Sequence, residues 1–284
     1  MTCSICKGKG YIRKTVDGYD TVGICRCQVQ QNLKKHFQAA GIPSRYWDWT
    51  LQSKSKTGPN ALDIPFKYKQ WILNSPLDDQ RQPFQPWSGP GKGTKNDTTF
   101  HSQFSALKKC RDLITRYLDH FLEQKGDGDV PGLLMMGSVG IGKTHLLCTL
   151  LLDLIYAGVT NVYFIEMTDL MKKLQFSYSK GSASKEEELL APLISSDVLV
   201  LDDLGSFASD NLSWILNTLG YVLNKRYSFQ KPTLISTNYF DKAKSGEKTL
   251  TDCLGARLRS RIRETCPELV MKGYDFREYR NQIT

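Results

Sequence analysis

The 284-residue chain has few of the features that mark membrane-spanning or secreted proteins. Its longest apolar run, Leu146 to Ala157, is interrupted by Asp153 and is shorter than the roughly 20 residues that cross a bilayer. The N-terminus lacks the apolar segment of a secretory signal and carries cysteines and glycines instead. We therefore expect no membrane partner and a cytoplasmic protein, whose eight cysteines are free or metal-bound rather than disulfide-linked.

Acidic residues are also in the minority, with 29 Asp and Glu against 38 Lys and Arg. The resulting net charge of +9 and isoelectric point near 9.0 favour an acidic partner, and nucleic acid is the first candidate. A charge that serves only solubility is the alternative. Because the excess is spread along the chain rather than collected in one tail, contact with nucleic acid is favoured.

Apolar patterns divide the rest of the chain into helices, strands and one long loop. Residues 28–40 predict a short helix, and an aromatic-rich docking segment, IPSRYWDWTL, follows it. Four prolines and three glycines predict a mobile loop over 75–99, and helical spacing predicts an amphipathic helix over 101–124. The runs GLLMM, NVYFIEM, DVLVLDD and PTLISTN then alternate with helical stretches. The predicted fold class is α/β, with a parallel sheet that helices cover on both faces.

A phosphate-binding motif, G-x-x-x-x-G-K-[ST], lies between the run LLMM and a helical pattern. Small residues let the backbone bend so that its N–H groups point inward, and a helix start adds partial positive charge. We expect Lys143 to reach the β and γ phosphates of ATP, and the Thr144 hydroxyl to ligate Mg²⁺. The predicted nucleotide-binding residues here are Gly137, Ser138, Val139, Gly140, Ile141, Gly142, Lys143, Thr144 and His145.

Polar side chains end the next two buried strands along this pattern. Asp202 and Asp203 follow the run DVLVL, and Asn238 follows PTLIST. Asp202 would hold the Mg²⁺ and its water shell, and Asp203 would polarise the attacking water. Asn238 would hydrogen-bond the γ-phosphate or the water, and a turn-forming role is the alternative. With Lys143, these three residues are the predicted catalytic residues at the sheet edge.

The string LGARLRSRIR, residues 254–263, predicts a helix with two separate basic edges. Arg257 and Arg261 form one edge, and Arg259 and Arg263 form the other. An arginine delivered to a neighbouring subunit's γ-phosphate would couple ATP hydrolysis to assembly. A solvated helix face is the alternative for each arginine.

The order GSVGIGKTH, LDDLG, STN, GARLRSRI and YDFREYR closely resembles the AAA+ ATPases of the DnaC/DnaI helicase-loader and IstB transposition-helper family. The similarity spans about residues 41–280 and implies an AAA+ P-loop ATPase that self-associates with ATP. By this resemblance Arg261 matches the arginine finger and is the fifth predicted catalytic residue, and Arg277 matches a late sensor arginine. Arg257 is the second candidate for the finger. Asp203 stands where AAA+ proteins usually have glutamate, so the hydrolysis rate stays open.

The same family has a helical insertion after the second strand, which falls within residues 168–195 here. By this resemblance Lys172, Lys173, Tyr178 and Lys180 would contact the phosphates and bases of single-stranded DNA. A plain solvated helix and loop is the alternative for the stretch.

Four cysteines near the N-terminus have the spacing of a four-thiolate zinc site. Cys3 and Cys6 form one pair, Cys25 and Cys27 form the other, and the 18 residues between the pairs return the chain. The head has too little apolar surface to fold by burial, so bound Zn²⁺ would supply the missing folding energy. Free thiols are the alternative, and His36 is the alternative to Cys27 as fourth ligand.

In the resembled family, a zinc-bearing module ahead of the ATPase occurs in DnaI-type loaders, where it docks on the replicative helicase. We therefore expect a zinc-binding docking module over 1–40 and an AAA+ ATPase domain over 41–284. The expected function is ATP-dependent loading of the replicative DNA helicase hexamer onto single-stranded DNA. Two alternatives stay open: an IstB-type transposition helper acting on duplex DNA, and a zinc-headed nucleic-acid adaptor with a vestigial nucleotide site.

Overall fold

A small cysteine-bearing hairpin precedes a five-stranded α/β core. The computed structural model describes residues 3–16, 18–47, 49–51, 69–70, 98–124, 130–179, 183–206, 212–242, 246–273 and 275. The loop predicted over 75–99 lies outside these residues, apart from its last two, which open a helix. Within the described part of the chain, no helix combines the length and apolar character needed to cross a membrane.

The hairpin consists of β1 (Tyr11–Val16) and β2 (Tyr19–Ile24), which pair antiparallel. The helix α1 (Arg26–Ala39) follows directly and confirms the short helix predicted from the sequence. Phe37 of α1 meets the ring of Tyr156 edge to face, with centroids 5.5 Å apart. The helix therefore packs on the core through its C-terminal half.

The core contains one parallel sheet with the strand order β6-β7-β8-β5-β9. Its strands are β5 (Leu133–Met136), β6 (Val162–Glu166), β7 (Val198–Asp202), β8 (Thr233–Thr237) and β9 (Glu268–Val270). A separate short pair joins β3 (Trp49–Thr50) to β4 (Lys69–Gln70). The first four core strands confirm the apolar runs, whereas β9 has only three residues and was not predicted.

Seven helices of the described chain accompany these strands. After α1 they are α2 (Thr98–Glu123), α3 (Lys143–Tyr156), α4 (Met167–Ser179), α5 (Ala183–Ser195), α6 (Leu212–Ser228) and α7 (Leu250–Thr265). The helix α2 confirms the amphipathic pattern predicted over 101–124.

The two faces of the sheet carry separate hydrophobic clusters, because successive strand residues point to opposite sides. Leu133 and Met135 pack in the cluster with α1, α2 and α3, and Leu134 and Met136 pack in the cluster with α4 to α7. Helices thus cover both faces, as the continuous apolar strands predict. The carboxyl ends of the neighbouring strands β7, β8 and β5 meet at one edge, which is where parallel α/β sheets bind ligands.

Candidate functional site

The phosphate-binding motif forms the loop between β5 and α3. Gly142 precedes α3 as its N-cap with φ 95°, and Gly140 has φ 76°, a left-handed conformation that favours glycine. No side chain caps the start of α3, so its first N–H groups remain available to a ligand on the loop side. This geometry suits an anion such as a phosphate group.

The Lys143 ammonium lies across the mouth of this loop. Its Nζ donates to the carbonyl oxygens of Gly137 at 2.7 Å and Ser138 at 2.8 Å. It also donates to Oδ1 of Asn238 at 2.7 Å. The sequence-predicted lysine and asparagine are therefore in direct contact, although they are 95 residues apart.

Asp275 lies against the loop at Gly140. A Cβ atom at Gly140 would overlap the Asp275 carboxylate, so this position has no room for a side chain. The segment after β9 thus returns to the phosphate loop. Arg277, the predicted late sensor arginine, lies two residues further on and outside the described residues.

Asp202 ends β7 beside the start of α3 and is 4% exposed. Its carboxylate accepts hydrogen bonds from the Thr144 hydroxyl at 2.8 and 3.0 Å, and from the Ser236 hydroxyl at 2.5 Å. Burial raises the pKa of Asp202, whereas the hydroxyl groups of Ser236 and Thr144 act in the opposite direction. A carboxylate and a hydroxyl in contact offer a hard-oxygen ligand pair of the kind that Mg²⁺ prefers.

Asp203 and Asn238 form a second polar pair at the same edge. The side-chain amide of Asn238 donates to Asp203 Oδ1 at 2.6 Å. Asp203 has φ 57°, an uncommon conformation for a residue with a side chain, and its N–H donates to the Ser236 hydroxyl at 2.9 Å. Ser236 therefore links both aspartates. Sequence reasoning missed Ser236, although its hydroxyl lies in the strand that directly precedes the predicted Asn238.

His145 lies in the first turn of α3 and contacts Tyr46, in the segment that follows α1. The ring centroids of His145 and Tyr46 are 5.1 Å apart, and the guanidinium of Arg45 lies 4.6 Å from the Tyr46 centroid. Burial, followed by the charge of Arg45, lowers the pKa of His145 to about 4. His145 is therefore neutral near pH 7, and it would contribute packing rather than charge to a nucleotide site.

The finger helix, α7, differs from its prediction in two ways. Gly255, with φ 76° and ψ 154°, breaks the helix, so the arginine string begins a new helical segment. Arg259 is 2% exposed and forms ion pairs with Asp241 and Glu268, and Arg263 also pairs with Asp241. The prediction of a second free basic edge at Arg259 and Arg263 is wrong, because acidic residues distant in sequence neutralise it.

The other edge of α7 carries the two finger candidates. Arg261 contacts Glu264 at 2.9 Å, and its guanidinium lies 4.8 Å from the ring centroid of Tyr227. The Tyr227 hydroxyl also donates to Glu264 at 3.1 Å. Arg257 is exposed and forms no ion pair within the described chain. Arg261 therefore has a defined resting position, and Arg257 projects into solvent.

The insertion between β6 and β7 consists of α4 and α5. Lys172 and Lys173 are exposed on α4, and the Phe176 ring, one turn further on, is 69% exposed. An aromatic ring beside two ammonium groups can stack a base and pair with phosphates. The side chain of Tyr178 and the whole of Lys180 lie outside the described residues.

The four N-terminal cysteines converge on one point, and their sulfur atoms all lie within 4.8 Å of one another. Cys3 and Cys25 have sulfur atoms 3.8 Å apart, and those of Cys6 and Cys27 are 3.4 Å apart. Tetrahedral Zn²⁺ with Zn–S bonds of about 2.3 Å implies sulfur separations of about 3.8 Å. The sulfur atoms therefore fit such an ion, and the group does not include His36.

A backbone hydrogen bond lowers the pKa of one of these thiols. The N–H of Gly10 donates to Cys6 Sγ at 3.3 Å and lowers the pKa of that thiol to about 6. The neighbouring Cys6 raises the pKa of Cys27 to about 12. Metal ions bind thiolates, so metal binding would release the remaining protons.

Several known proteins are similar to this chain. The replicative helicase loader DnaC of Escherichia coli strain K12 is 28% identical over 182 residues, which cover 64% of this chain and 66% of that protein. The chain thus spans just under two thirds of that relative. The insertion sequence IS5376 putative ATP-binding protein of Geobacillus stearothermophilus is 29% identical over 131 residues, 46% of each chain.

Solved structures are also similar. The crystal structure of the DnaC helicase loader is 30% identical with a TM-score of 0.48, covering 59% of this chain and 90% of that one. The structure of DnaI is 25% identical with a TM-score of 0.48, covering 57% and 85%. Residues 120–282 match the family described as IstB-like ATP binding protein. Because this match covers more than half of the chain, the protein belongs to the family of IstB-like ATP binding proteins.

Proposed function

We propose that this protein is an ATP-dependent loader, which delivers the replicative DNA helicase hexamer to single-stranded DNA in the cytoplasm. The observation that carries the proposal is the four-cysteine cluster ahead of an ATP-binding core. Within the helicase-loader and transposition-helper family that the sequence resembles, a zinc-bearing N-terminal module is found in the loaders that dock on the helicase. The similarity to DnaC over 64% of the chain supports the same role.

In this proposal the loop over 137–144 and the start of α3 bind the phosphates of ATP. Lys143 would turn from its carbonyl partners toward the β and γ phosphates, and Thr144 and Asp202 would hold Mg²⁺. The ion would neutralise the charge that develops on the phosphate oxygens. Asp203 accepts a proton from the attacking water, and Asn238 orients that water or the γ-phosphate.

ATP would also control assembly of subunits into an open oligomer. Arg261, the first finger candidate, leaves Tyr227 and Glu264 and reaches the γ-phosphate bound by a neighbouring subunit. Arg257 is the second candidate because it projects freely from the same edge. Arg277 would complete the site from within its own subunit. Hydrolysis would then depend on correct assembly.

The head over 1–40 would bind the helicase, and an exposed face of α4 would bind the DNA. Zn²⁺ held by the four cysteines would order the head over 1–40, and the exposed hairpin would present its side chains to the helicase. Lys172, Lys173 and Phe176 would contact single-stranded DNA through phosphate pairing and base stacking. The net charge of +9 supports contact with DNA.

The first test is gel filtration of the protein with the replicative helicase of its host, with and without ATP. Co-elution is expected for the wild type and should be lost in Cys3→Ser/Cys6→Ser. Cys253→Ser, a cysteine outside the cluster, is the matched control and should co-elute normally. Absence of wild-type co-elution in both nucleotide states would contradict the proposal.

A transposition helper is the second candidate function, favoured by the family match and by the similarity to the IS5376 protein. It predicts tighter binding to duplex than to single-stranded DNA and ATP-dependent filaments on the duplex. A vestigial nucleotide site is the third candidate. It predicts that wild-type protein hydrolyses no ATP and that Lys143→Ala binds DNA normally.

A further inference from the structure

Arg259 is a buried arginine at the centre of an ion-pair network on α7. Its Nε and Nη2 donate to the two carboxylate oxygens of Asp241 at 2.7 and 2.5 Å, and Nη2 also donates to Glu268. Arg263 reaches the same Asp241 from the exposed side at 2.8 Å. This network joins α7 to β9 and to the loop that follows β8.

That loop begins at the candidate nucleotide site. Asp241 lies three residues after Asn238, whose side chain contacts Lys143 at 2.7 Å and Asp203 at 2.6 Å. The N–H of Leu250 donates to the carbonyl of residue 240 at 3.0 Å, so the start of α7 is held by the same loop. Asn238, at the start of this short segment, therefore contacts Lys143 of the phosphate loop. Asp241, at its end, contacts Arg259 of α7.

Arg259 points away from the two finger candidates. Successive helix residues are rotated by about 100°, so Arg257 and Arg261 lie about 40° apart, whereas Arg259 lies about 160° from each. The break at Gly255 interrupts the helix before this segment. The contacts of Arg259 with Asp241 therefore anchor the inner side of the segment whose outer side carries Arg257 and Arg261.

The pair is better suited to fixing geometry than to adding stability. Burial of a guanidinium costs hydration, and a well-packed apolar side chain in its place is often as stable. A bidentate arginine–carboxylate contact, in contrast, fixes both the distance and the orientation of its partners. Hydrogen bonds from Arg259 lower the pKa of Asp241 to about 2, so the contact stays ionised near pH 7.

We propose that the Arg259–Asp241 ion pair is a positioning element, which ties the finger-bearing segment of α7 to the loop after β8 that begins at Asn238. The proposal rests on the assembly through α7 that the proposed function includes. Contacts of Asn238 with ATP in one subunit thereby set the direction in which that subunit's Arg261 reaches its neighbour's site. Arg259 itself touches no nucleotide.

The first test separates kcat from KM in DNA-stimulated ATP turnover. Arg259→Met and Asp241→Asn should leave the ATP KM within about twofold and lower kcat about tenfold or more, because a displaced finger weakens only the transition state. Arg259→Lys should give an intermediate kcat, since lysine keeps the charge but not the bidentate contact. Arg263→Gln, an exposed partner of the same Asp241, is the matched control and should stay within about twofold of wild type.

The decisive test mixes two variants that are each impaired alone. Asp203→Asn subunits should bind ATP without hydrolysing it and so offer a correctly set finger, and Arg259→Met subunits keep an intact ATP site. A mixture should therefore hydrolyse ATP faster than the sum of its components. A mixture no faster than that sum would overturn the proposal. If Arg259→Met unfolds at a lower temperature than wild type, Asp241→Asn replaces it under the same criterion.

The double variant Arg257→Ala/Arg261→Ala separates this proposal from the proposed function. If this variant hydrolyses ATP like the wild type, no finger operates, and both the assembly step and the positioning role are wrong. If it loses turnover while Arg259→Met and Asp241→Asn keep the wild-type kcat, only the positioning role is wrong.

Discussion

The nucleotide site and the cysteine head are held together by different physical means. Around the nucleotide site, the strands β5, β7 and β8 are fully buried, and hydrogen bonds across the sheet edge join Lys143 to Asn238 and Thr144 to Asp202. In the head, the hairpin leaves Tyr11, Tyr19, Val22 and Ile24 more than half exposed. Among residues 3–27, as far as their side chains are described, only Cys6, Gly10 and Cys25 are buried.

This difference indicates that the core can fold by apolar burial, whereas the head would depend on the zinc ion that we propose its four cysteines bind. It also explains where each function would lie. A rigid sheet edge positions groups for phosphate chemistry, and an exposed apolar hairpin offers side chains to a protein partner. A change that unfolds the head should therefore leave nucleotide binding by the core intact. A change that abolishes nucleotide binding should likewise leave the head folded.

Metal removal should produce the largest effect, and only in the head. Structural Zn²⁺ contributes on the order of 10 kcal/mol to small zinc modules, so chelation should unfold the hairpin. Nuclear magnetic resonance of the head should lose dispersed signals, while ATP affinity changes less than about twofold, since α3 and the sheet do not use the metal. Loss of nucleotide binding upon chelation would show that the two regions are not independent.

The substitution Phe37→Ala should locate the boundary between the two regions. Phe37 is 2% exposed in α1 and contacts Tyr156, so its truncation should destabilise the core by about 3–5 kcal/mol. Tyr11→Ala, at a ring 58% exposed, should change the free energy of unfolding by less than about 0.5 kcal/mol. Urea unfolding followed by circular dichroism measures both. Equal effects would contradict the packing of α1 on the core.

Lys143→Ala should disable the core chemistry without altering the head. Nucleotide affinity should fall by about 100-fold or more, because the buried ammonium lies at the phosphate loop and hydrogen bonds to charged groups are strong. A fluorescent ATP analogue measures the affinity, and zinc content should stay that of wild type. Lys248→Ala, at an exposed lysine on the loop before α7, is the control and should bind normally.

The last effect should be a pH dependence of the core, which is absent at neutral pH and appears only in acid. The folded pKa of His145 is about 4, below its unfolded value of about 6.5, so the unfolded chain binds more protons between these values. The stabilisation is complete above about pH 6.5 and is lost as pH falls toward about 4. His145→Gln should flatten this slope in urea unfolding measured from pH 4 to 7. An unchanged slope would assign the acid sensitivity to other groups.

Features that depend on neighbouring residues could be predicted from the sequence. The buried strands, α1, α2 and the start of α3 follow from local apolar spacing and glycines, and the cysteine spacing alone predicted the convergence of four sulfur atoms. The contacts of Lys143 with Asn238 and of Thr144 with Asp202 also follow, because parallel strands end at one sheet edge.

Features that depend on distant residues could not be predicted. The burial of Arg259 requires Asp241, 18 residues earlier, and no helical periodicity reports such a partner. The left-handed Asp203 and the contact of Asp275 with the phosphate loop likewise arise from packing. A three-residue strand such as β9 is too short to show a pattern.

The most direct test of the loader proposal is helicase transfer to closed circular single-stranded DNA, onto which a closed ring cannot thread. We expect the wild-type protein with ATP to place the host helicase hexamer on the circle, measured by co-sedimentation and by unwinding of an annealed strand. Transfer should be lost in Lys143→Ala and in Cys3→Ser/Cys6→Ser. Equal transfer with and without the wild-type protein would contradict the account.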